Sequence, residues 1–384
     1  MNTKDFKTKT LLIERSFPSA SDKWGLAIDI GYSSLKSICP NKAFCFPAYA
    51  KRIPTDRLRL GDAAKSDIRY RDSEGVWVVG ALAYEEVVTT EVVDSQTELF
   101  GRHRYYSSMF KVIARTGMAI GLMENQFGSA KGRKIALQTG LPPAYLKGDT
   151  AAIKDVLSGK HVFDVQLGGG AWQHFSFELR PEDIHVMPQP SGSLLSVSVD
   201  KDGQRLSVAK DYFSKNLIVF DPGFGTTDEY TVKHGNVIGI GETFPELGMR
   251  EVFARTCRDI RDAYGVEVSI PELQNKLDTG MIKVMNRKAM KSDLHPFDSF
   301  LEANCRKVCE ETIERLKSIH DYFADIDYII GTGGTYDAWA TIFNDTFKDM
   351  EGLKIIPGNV NDTSLSNVFS NVRGYYFRLI NLLK

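Results

Sequence analysis

The sequence predicts an α/β protein built as two lobes, and three observations carry that reading. The chain has 384 residues, whereas single hydrophobic cores stop growing near ~250–300 residues. Apolar runs of strand length alternate with stretches spaced for crossover helices. One strand–turn–strand segment, LAIDIGYSSLK at 26–36, has an echo in NLIVFDPGFGTTD at 216–228, the kind of trace a duplicated lobe leaves.

Taken in order, residues 1–23 read as an irregular, polar leader. From Trp24 the chain reads strand, turn, strand, continuing through 35–50, and 75–86 reads as a strand followed by a turn. Residues 105–121 space their apolar side chains for a helix. KIALQTGLPPAYL (134–146) is a strand running into a Pro-Pro turn and a short helical stretch. Residues 160–187 alternate like the strands of a small sheet, and 193–210 fit neither period. After the second strand–turn–strand, 246–263 and 299–323 read as helices, 327–343 as strand, glycine loop and helix, and the C-terminus as a helix.

Composition excludes several classes. Hydrophobic residues make up 42% and charged residues 25%, ordinary for a globular protein. A net charge of −1 gives the chain no overall attraction to DNA or to an anionic membrane. No run approaches the ~18 apolar residues of a membrane span, and the apolar stretch at 11–13 is too short for a signal peptide. The five cysteines, Cys39, Cys45, Cys257, Cys305 and Cys309, form no CxxC, which favours reduced thiols and a cytoplasmic setting. Cys305 and Cys309 lie four apart in a helical pattern, as buried thiols or as a metal or redox pair.

The two matched turns carry the chemistry. The first reads Asp29, Ile30, Gly31, Tyr32, Ser33, Ser34; the second reads Asp221, Pro222, Gly223, Phe224, Gly225, Thr226, with Thr227 following. Glycine lets a backbone approach a ligand closely, and successive N–H groups of such a hairpin can cradle phosphate oxygens. The serine and threonine hydroxyls add donors. A carboxylate before the turn repels phosphate but suits a hydrated Mg²⁺. Taken singly, each turn reads first as a structural hairpin; the matched pair, with two further elements, is what points to a two-sided phosphate grip. A third element, IIGTGGTYDAW, places Gly331, Thr332, Gly333 and Gly334 between a strand and a helix, with Tyr336 beyond. It offers flat backbone for a purine and a helix N-terminus for negative charge, or simply a tight strand–helix turn. Lys36, seven residues after Asp29, can reach back to phosphate or remain solvated. No GxxxxGK[ST] occurs, which argues against a P-loop NTPase.

These elements in this order resemble the actin-like ATPase superfamily of actin, the seventy-kilodalton heat-shock chaperones and sugar kinases. DIGYSSLK resembles its first phosphate loop, DPGFGTTD its second, with Asp228 where actin carries a histidine, and GTGG its adenosine motif. Within the superfamily the chain is most similar to ParM-like bacterial actins, at FPAYA (46–50), VVGALA (78–83), TGLPPAYL (139–146), HVMPQPSG (185–192) and NVRGYY (371–376). It departs from them in the leader and in Tyr32-Ser33-Ser34. The resemblance implies an actin-like ATPase fold of two lobes, each with a ribonuclease-H-like mixed sheet flanked by helices, and nucleotide in the interlobe cleft. It implies lobe I at 24–188 plus 359–384 and lobe II at 189–358. It implies ATP, possibly GTP, as ligand at both loops and the adenosine motif, and Mg²⁺ near Asp29 and Asp221 through water. It gives Gln189 and Asp221 the catalytic work of orienting water, Gln189 reading otherwise as a loop residue between two prolines. Self-assembly into a helical filament, and a small DNA-binding adaptor of the ParR type for plasmid segregation, complete the expectation, with neither DNA nor membrane touched directly.

Two rival readings stay open on the sequence. A sugar-type kinase would need a base, and Asp200, Asp202 and Asp211 are candidates. A membrane-associated scaffold could use the apolar C-terminal YYFRLINLLK as an interfacial helix, although packing on lobe I suits it better. The basic cluster Lys51, Arg52, Arg57, Arg59, interrupted by Asp56 and Asp62, reads as a solvated loop or a filament contact.

Overall fold

In a computed structural model of the chain, residues 2–20, 22–55, 61–86, 102–239, 241–286 and 290–384 are described. Asp56, Arg57 and Arg59 of the basic cluster lie outside them; Lys51 and Arg52 donate to the backbone carbonyls of Glu86 and Glu74.

Each lobe is built on one mixed sheet, and the two sheets share a pattern. In lobe I, Lys42–Pro47, Ser34–Cys39 and Lys23–Ile30 run antiparallel, then Lys134–Leu141 and Ile184–Pro188 join in parallel. In lobe II, Asn236–Val237, Thr227–Lys233 and Leu217–Pro222 run antiparallel, then Tyr328–Gly331 and Lys354–Pro357 join in parallel. The repeat seen in eight residues of sequence is therefore a repeat of a whole five-strand topology. Glu242–Phe244 adds a further pairing in lobe II. A separate antiparallel sheet, Gln173–Leu179, Gly159–Leu167, Ile68–Asp72, Gly75–Val79 and Ala50–Ile53, stands beside the lobe I sheet.

The period-2 rule of strands explains the layering. Along Lys23–Ile30, Leu26, Ile28 and Ile30 face the core under helix Ser108–Leu122, while Ala27 faces the cluster under the C-terminal helix Ser370–Leu383. With both faces covered, the strand reads as a continuous apolar run. Tyr375, Tyr376, Leu379 and Ile380 of the C-terminal helix are buried against this sheet, so its apolar face is not presented to a membrane. No described helix is long and apolar enough to cross one. Cys305 and Cys309 share a face of helix Asp298–Ile319 and lie in the lobe II core as free thiols.

The leader is not irregular. Thr3–Phe6 is a 3-10 turn closed by an Asn2 capping box, and Leu11–Glu14 is a strand. That strand pairs antiparallel with Lys42–Pro47, Leu11 opposite Cys45, and adds a sixth, edge strand to the lobe I sheet. The segment 193–210 resolves into helices Gln189–Ser198 and Ala209–Ser214.

Candidate functional site

The two hairpins close in the same way. The Gly31 amide donates to the Ser34 carbonyl at 3.0 Å, and the Gly223 amide to the Thr226 carbonyl at 2.7 Å. Their acids also occupy one register: Asp29 lies opposite Lys36, and Asp221 opposite Asp228. The tips meet across the interlobe cleft, where the Tyr32 ring lies against Gly225. A β-carbon on Gly225 would stand 2.5 Å from that ring. The Arg104 guanidinium lies 4.0 Å from the Tyr32 ring centroid and donates to the Ile30 carbonyl at 2.7 Å.

Polar side chains converge behind the tips. Lys36 Nζ sits 3.2 Å from Asp29 Oδ2, and Gln189 Nε2 donates to Asp29 Oδ1 at 3.1 Å. Gln189 opens helix Gln189–Ser198, which aims it into the cleft instead of leaving it in a loop. Asp221 Oδ2 accepts from Asn371 Nδ2 at 2.5 Å; Asn371 Oδ1 accepts from Ser193 Oγ at 2.7 Å, and Ser193 Oγ is 2.7 Å from Thr332 Oγ1. This buried chain joins the second hairpin, helices Gln189–Ser198 and Ser370–Leu383, and the GTGG loop. Burial pushes the Asp221 carboxyl up to about 7, with the Asn371 bond opposing and the Asp29 charge adding to the rise. Burial, then the charge of Asp221, pushes Asp228 up to about 8, although Thr243 Oγ1 donates to it at 2.7 Å.

The structure brings most of the sequence-derived residues together. Asp29, Gly31, Tyr32, Ser33, Lys36, Gln189, Asp221, Gly223, Phe224, Gly225, Thr226, Thr332 and Gly333 line the cleft. Ser34 and Gly334 line an adjoining cavity. Three fall elsewhere. Tyr336 is buried in the lobe II core against Phe220 and Phe343, because helix Gly333–Phe347 turns its ring under Gly331 and onto the sheet. Gly331 ends a strand and spends its carbonyl on the Gly358 amide at 2.8 Å. Thr227 is a buried strand residue whose hydroxyl donates to the Leu247 carbonyl. Of the kinase-base candidates, Asp200 forms a turn by accepting from the Asp202 and Gln204 amides, and neither Asp200, Asp202 nor Asp211 lines the cleft.

Sequence reasoning missed Asn371, Ser193, Arg104 and Thr139, all at or behind the cleft, and gave Asp228 no role. Only Asp228 left a signal, as the eighth residue of a repeat whose other copy has Lys36 there.

Residues 27–192 match the family profile of the N-terminal domain of actin-like proteins. The match spans less than half of the chain, which has the actin-like fold. Among solved structures the actin-like chain is similar to a ParM filament of 15 strands from Clostridium botulinum, at TM-score 0.70 and 17% identity, covering 94% of this chain and 100% of the other. It is similar to a non-polymerisable quadruple mutant of pCBH ParM, at TM-score 0.69 and 19% identity, covering 92% and 98%. It is also similar to Bacillus thuringiensis ParM with AMPPNP, at TM-score 0.56 and 14% identity, covering 94% and 99%. No curated protein matches it in sequence.

Proposed function

We propose that this actin-like protein is a filament-forming ATPase, with GTP as the alternative nucleotide. It would segregate plasmid DNA in the cytoplasm through a ParR-type adaptor, without touching DNA or membrane itself. One observation carries the nucleotide part of the reading: two hairpins of one design face each other across the cleft, with Asp29 and Asp221 at equivalent register.

The chain's own groups divide the work. The loop-tip amides and the hydroxyls of Ser33 and Thr226 bind phosphate oxygens, and Lys36 supplies countercharge. Gln189 can accept and donate at once, so it orients a water without acting as a strong base. Asp221, held by Asn371, fixes the other side of that water. Backbone at Gly333 and Gly334 faces the nucleoside. The residues also fit a divalent cation: Asp221 and Asp228, raised by burial and then by the charge of neighbouring acids, are hard oxygen donors in want of positive charge. Asp29 and Asp221 would hold a hydrated Mg²⁺ through water. Bound there, Mg²⁺ would neutralise phosphate charge.

Phosphoryl transfer asks mainly for such positioning. Loss of the γ-phosphate would loosen the grip of the two loops and so the lobe angle, and a head-to-tail contact that depends on that angle extends as a helical polymer. The solved ParM filament supports the polymer part. The test is phosphate release and light scattering after adding ATP and Mg²⁺. Turnover with a rise in scattering is expected; turnover without scattering at any concentration would leave a monomeric enzyme and remove the filament reading.

A further inference from the structure

The leader is anchored on both lobes. At one end Phe6 is buried in the lobe II core, Thr3 Oγ1 donates to the Leu277 carbonyl at 2.7 Å, and Lys7 pairs with Asp278. At the other end Leu11–Glu14 is paired into the lobe I sheet, with Leu11 and Ile13 packed on its core. Beyond it, Arg15 pairs with Asp362, and the Phe17 ring packs edge-on to Tyr376 at 5.9 Å. Between the anchors run only residues 7–10, outside any helix or strand. Five Cα steps span at most roughly 17 Å, so lobe separation at this edge stops where the segment becomes taut.

This segment also forms a wall of a cavity. A space of about 330 Å³ lies between Phe6, Lys7 and Lys9 on one side and Ser34, Gly334 and Thr335 on the other. It adjoins the catalytic cleft, because Lys36, Asp221, Gly223 and Gly333 line both. Pockets for small molecules begin near ~300 Å³. The space therefore runs from the phosphate loops to the GTGG backbone with room for a nucleoside, and the leader forms part of its wall.

We propose that residues 6–11 are a strap that closes the nucleoside end of the nucleotide site, limits lobe opening and places Lys9 against the bound nucleotide. The nucleotide part rests on the ATPase reading above; the tether part does not. With the strap in place, ligand leaves only when Phe6 or the leader strand detaches, so the strap sets the exchange rate. Lys9 is exposed and carries a flexible cation at the cavity wall, suited to a phosphate oxygen or a base carbonyl as a point charge.

The experiment uses full-length protein and mant-ATP with Mg²⁺, following release by stopped flow. Three variants are compared: Phe6→Ala, Lys9→Gln, and a Gly-Gly-Ser-Gly insertion between Thr8 and Lys9. The insertion keeps both anchors and adds up to roughly 13 Å of slack. Phe6→Ala and the insertion are expected to speed release by about tenfold or more, and Lys9→Gln to weaken binding about three- to tenfold with an unchanged urea midpoint. Tight binding by the wild type with all three variants within twofold overturns the strap. Phe6→Ala faster but the insertion unchanged also overturns it, since the anchor then acts through lobe II stability alone. If the wild type does not bind mant-ATP, the ATPase reading fails. The tether is then judged by small-angle scattering without nucleotide: the insertion should raise the radius of gyration, and an unchanged value overturns it.

Discussion

Replacing Gly225 by alanine tests whether the two loop tips must touch. The new β-carbon would lie 2.5, 2.8 and 2.9 Å from three atoms of the Tyr32 ring, where ordinary carbon contacts begin near ~3.5 Å. The tips must therefore part by about 1 Å. Tyr32 cannot simply give way, because its other face carries the Arg104 guanidinium at 4.0 Å, itself tied to the Ile30 carbonyl. Overpacking of this kind costs about 1–3 kcal/mol, or roughly 5- to 150-fold in an equilibrium. The cost falls on cleft closure, since each lobe core is left intact. Nucleotide affinity should drop by that factor while the urea midpoint hardly moves. The assay is a double-mutant cycle with Tyr32→Ala, read by mant-ATP binding. In the Tyr32→Ala background, Gly225→Ala should cost less than about 0.5 kcal/mol. Equal costs in both backgrounds would refute the reasoning, because the clash would then not be with the ring.

Three further outcomes are expected. Asp221→Asn should cut ATP turnover roughly a hundredfold or more while leaving mant-ATP binding measurable; turnover near the wild-type rate would remove Asp221 from the chemistry. Gly374→Ala should cost about 3 kcal/mol or more in urea unfolding, because its β-carbon would stand 1.8 Å from the Gly192 carbonyl oxygen, where helices Gln189–Ser198 and Ser370–Leu383 cross; an unchanged midpoint would contradict that crossing. His161 should make the protein acid-sensitive. Burial lowers its pKa from 6.5 to about 4, opposed by the bond to the Leu157 carbonyl. A depressed folded-state value means the stabilisation is complete above pH 6.5 and is lost as pH falls toward 4. The full loss is about 3 kcal/mol at most, and a His161→Gln variant should show a flatter stability curve across that window.

Local chemistry was legible and long-range chemistry was not. Asp, Gly and hydroxyl residues fix the form of a hairpin within eight positions, so both loops could be read directly. Helix Gln189–Ser198 could not, because it is buried on nearly every side and so lacks an amphipathic stripe. The leader strand is four residues long, and its pairing with Lys42–Pro47 is encoded in the partner as much as in itself. Tyr336 faces the lobe II core because the helix begins at Gly333, and its register from there directs the fourth residue inward. Asn371 meets Asp221 across a sequence separation of 150 residues, which no local pattern records.

The eighth position of the repeat gives the cleft its polarity. In lobe I the partner of the loop acid is Lys36, 3.2 Å from Asp29, so that hairpin carries its own countercharge. In lobe II the partner is Asp228, and both carboxyls are driven upward, by burial first, then Asp221 by the charge of Asp29 and Asp228 by that of Asp221. Arg104, beside Tyr32, is committed to that ring and to the Ile30 carbonyl on the lobe I side. One wall thus offers a cation and the other asks for one. Apposing them directly brings Lys36 toward the acids, which contributes to closure but leaves two buried carboxyls to share it. A polyphosphate with a divalent cation would complete both walls at once, the phosphate oxygens meeting Lys36 and the loop amides, and Asp29 and Asp221 holding the cation through water. Either component alone leaves one wall unmatched, so closure should depend on the two together more steeply than on the sum of each. Nucleotide titrations in EDTA and in Mg²⁺ measure that coupling, and equal affinity in both would show that the lobe II acids are indifferent to the cation.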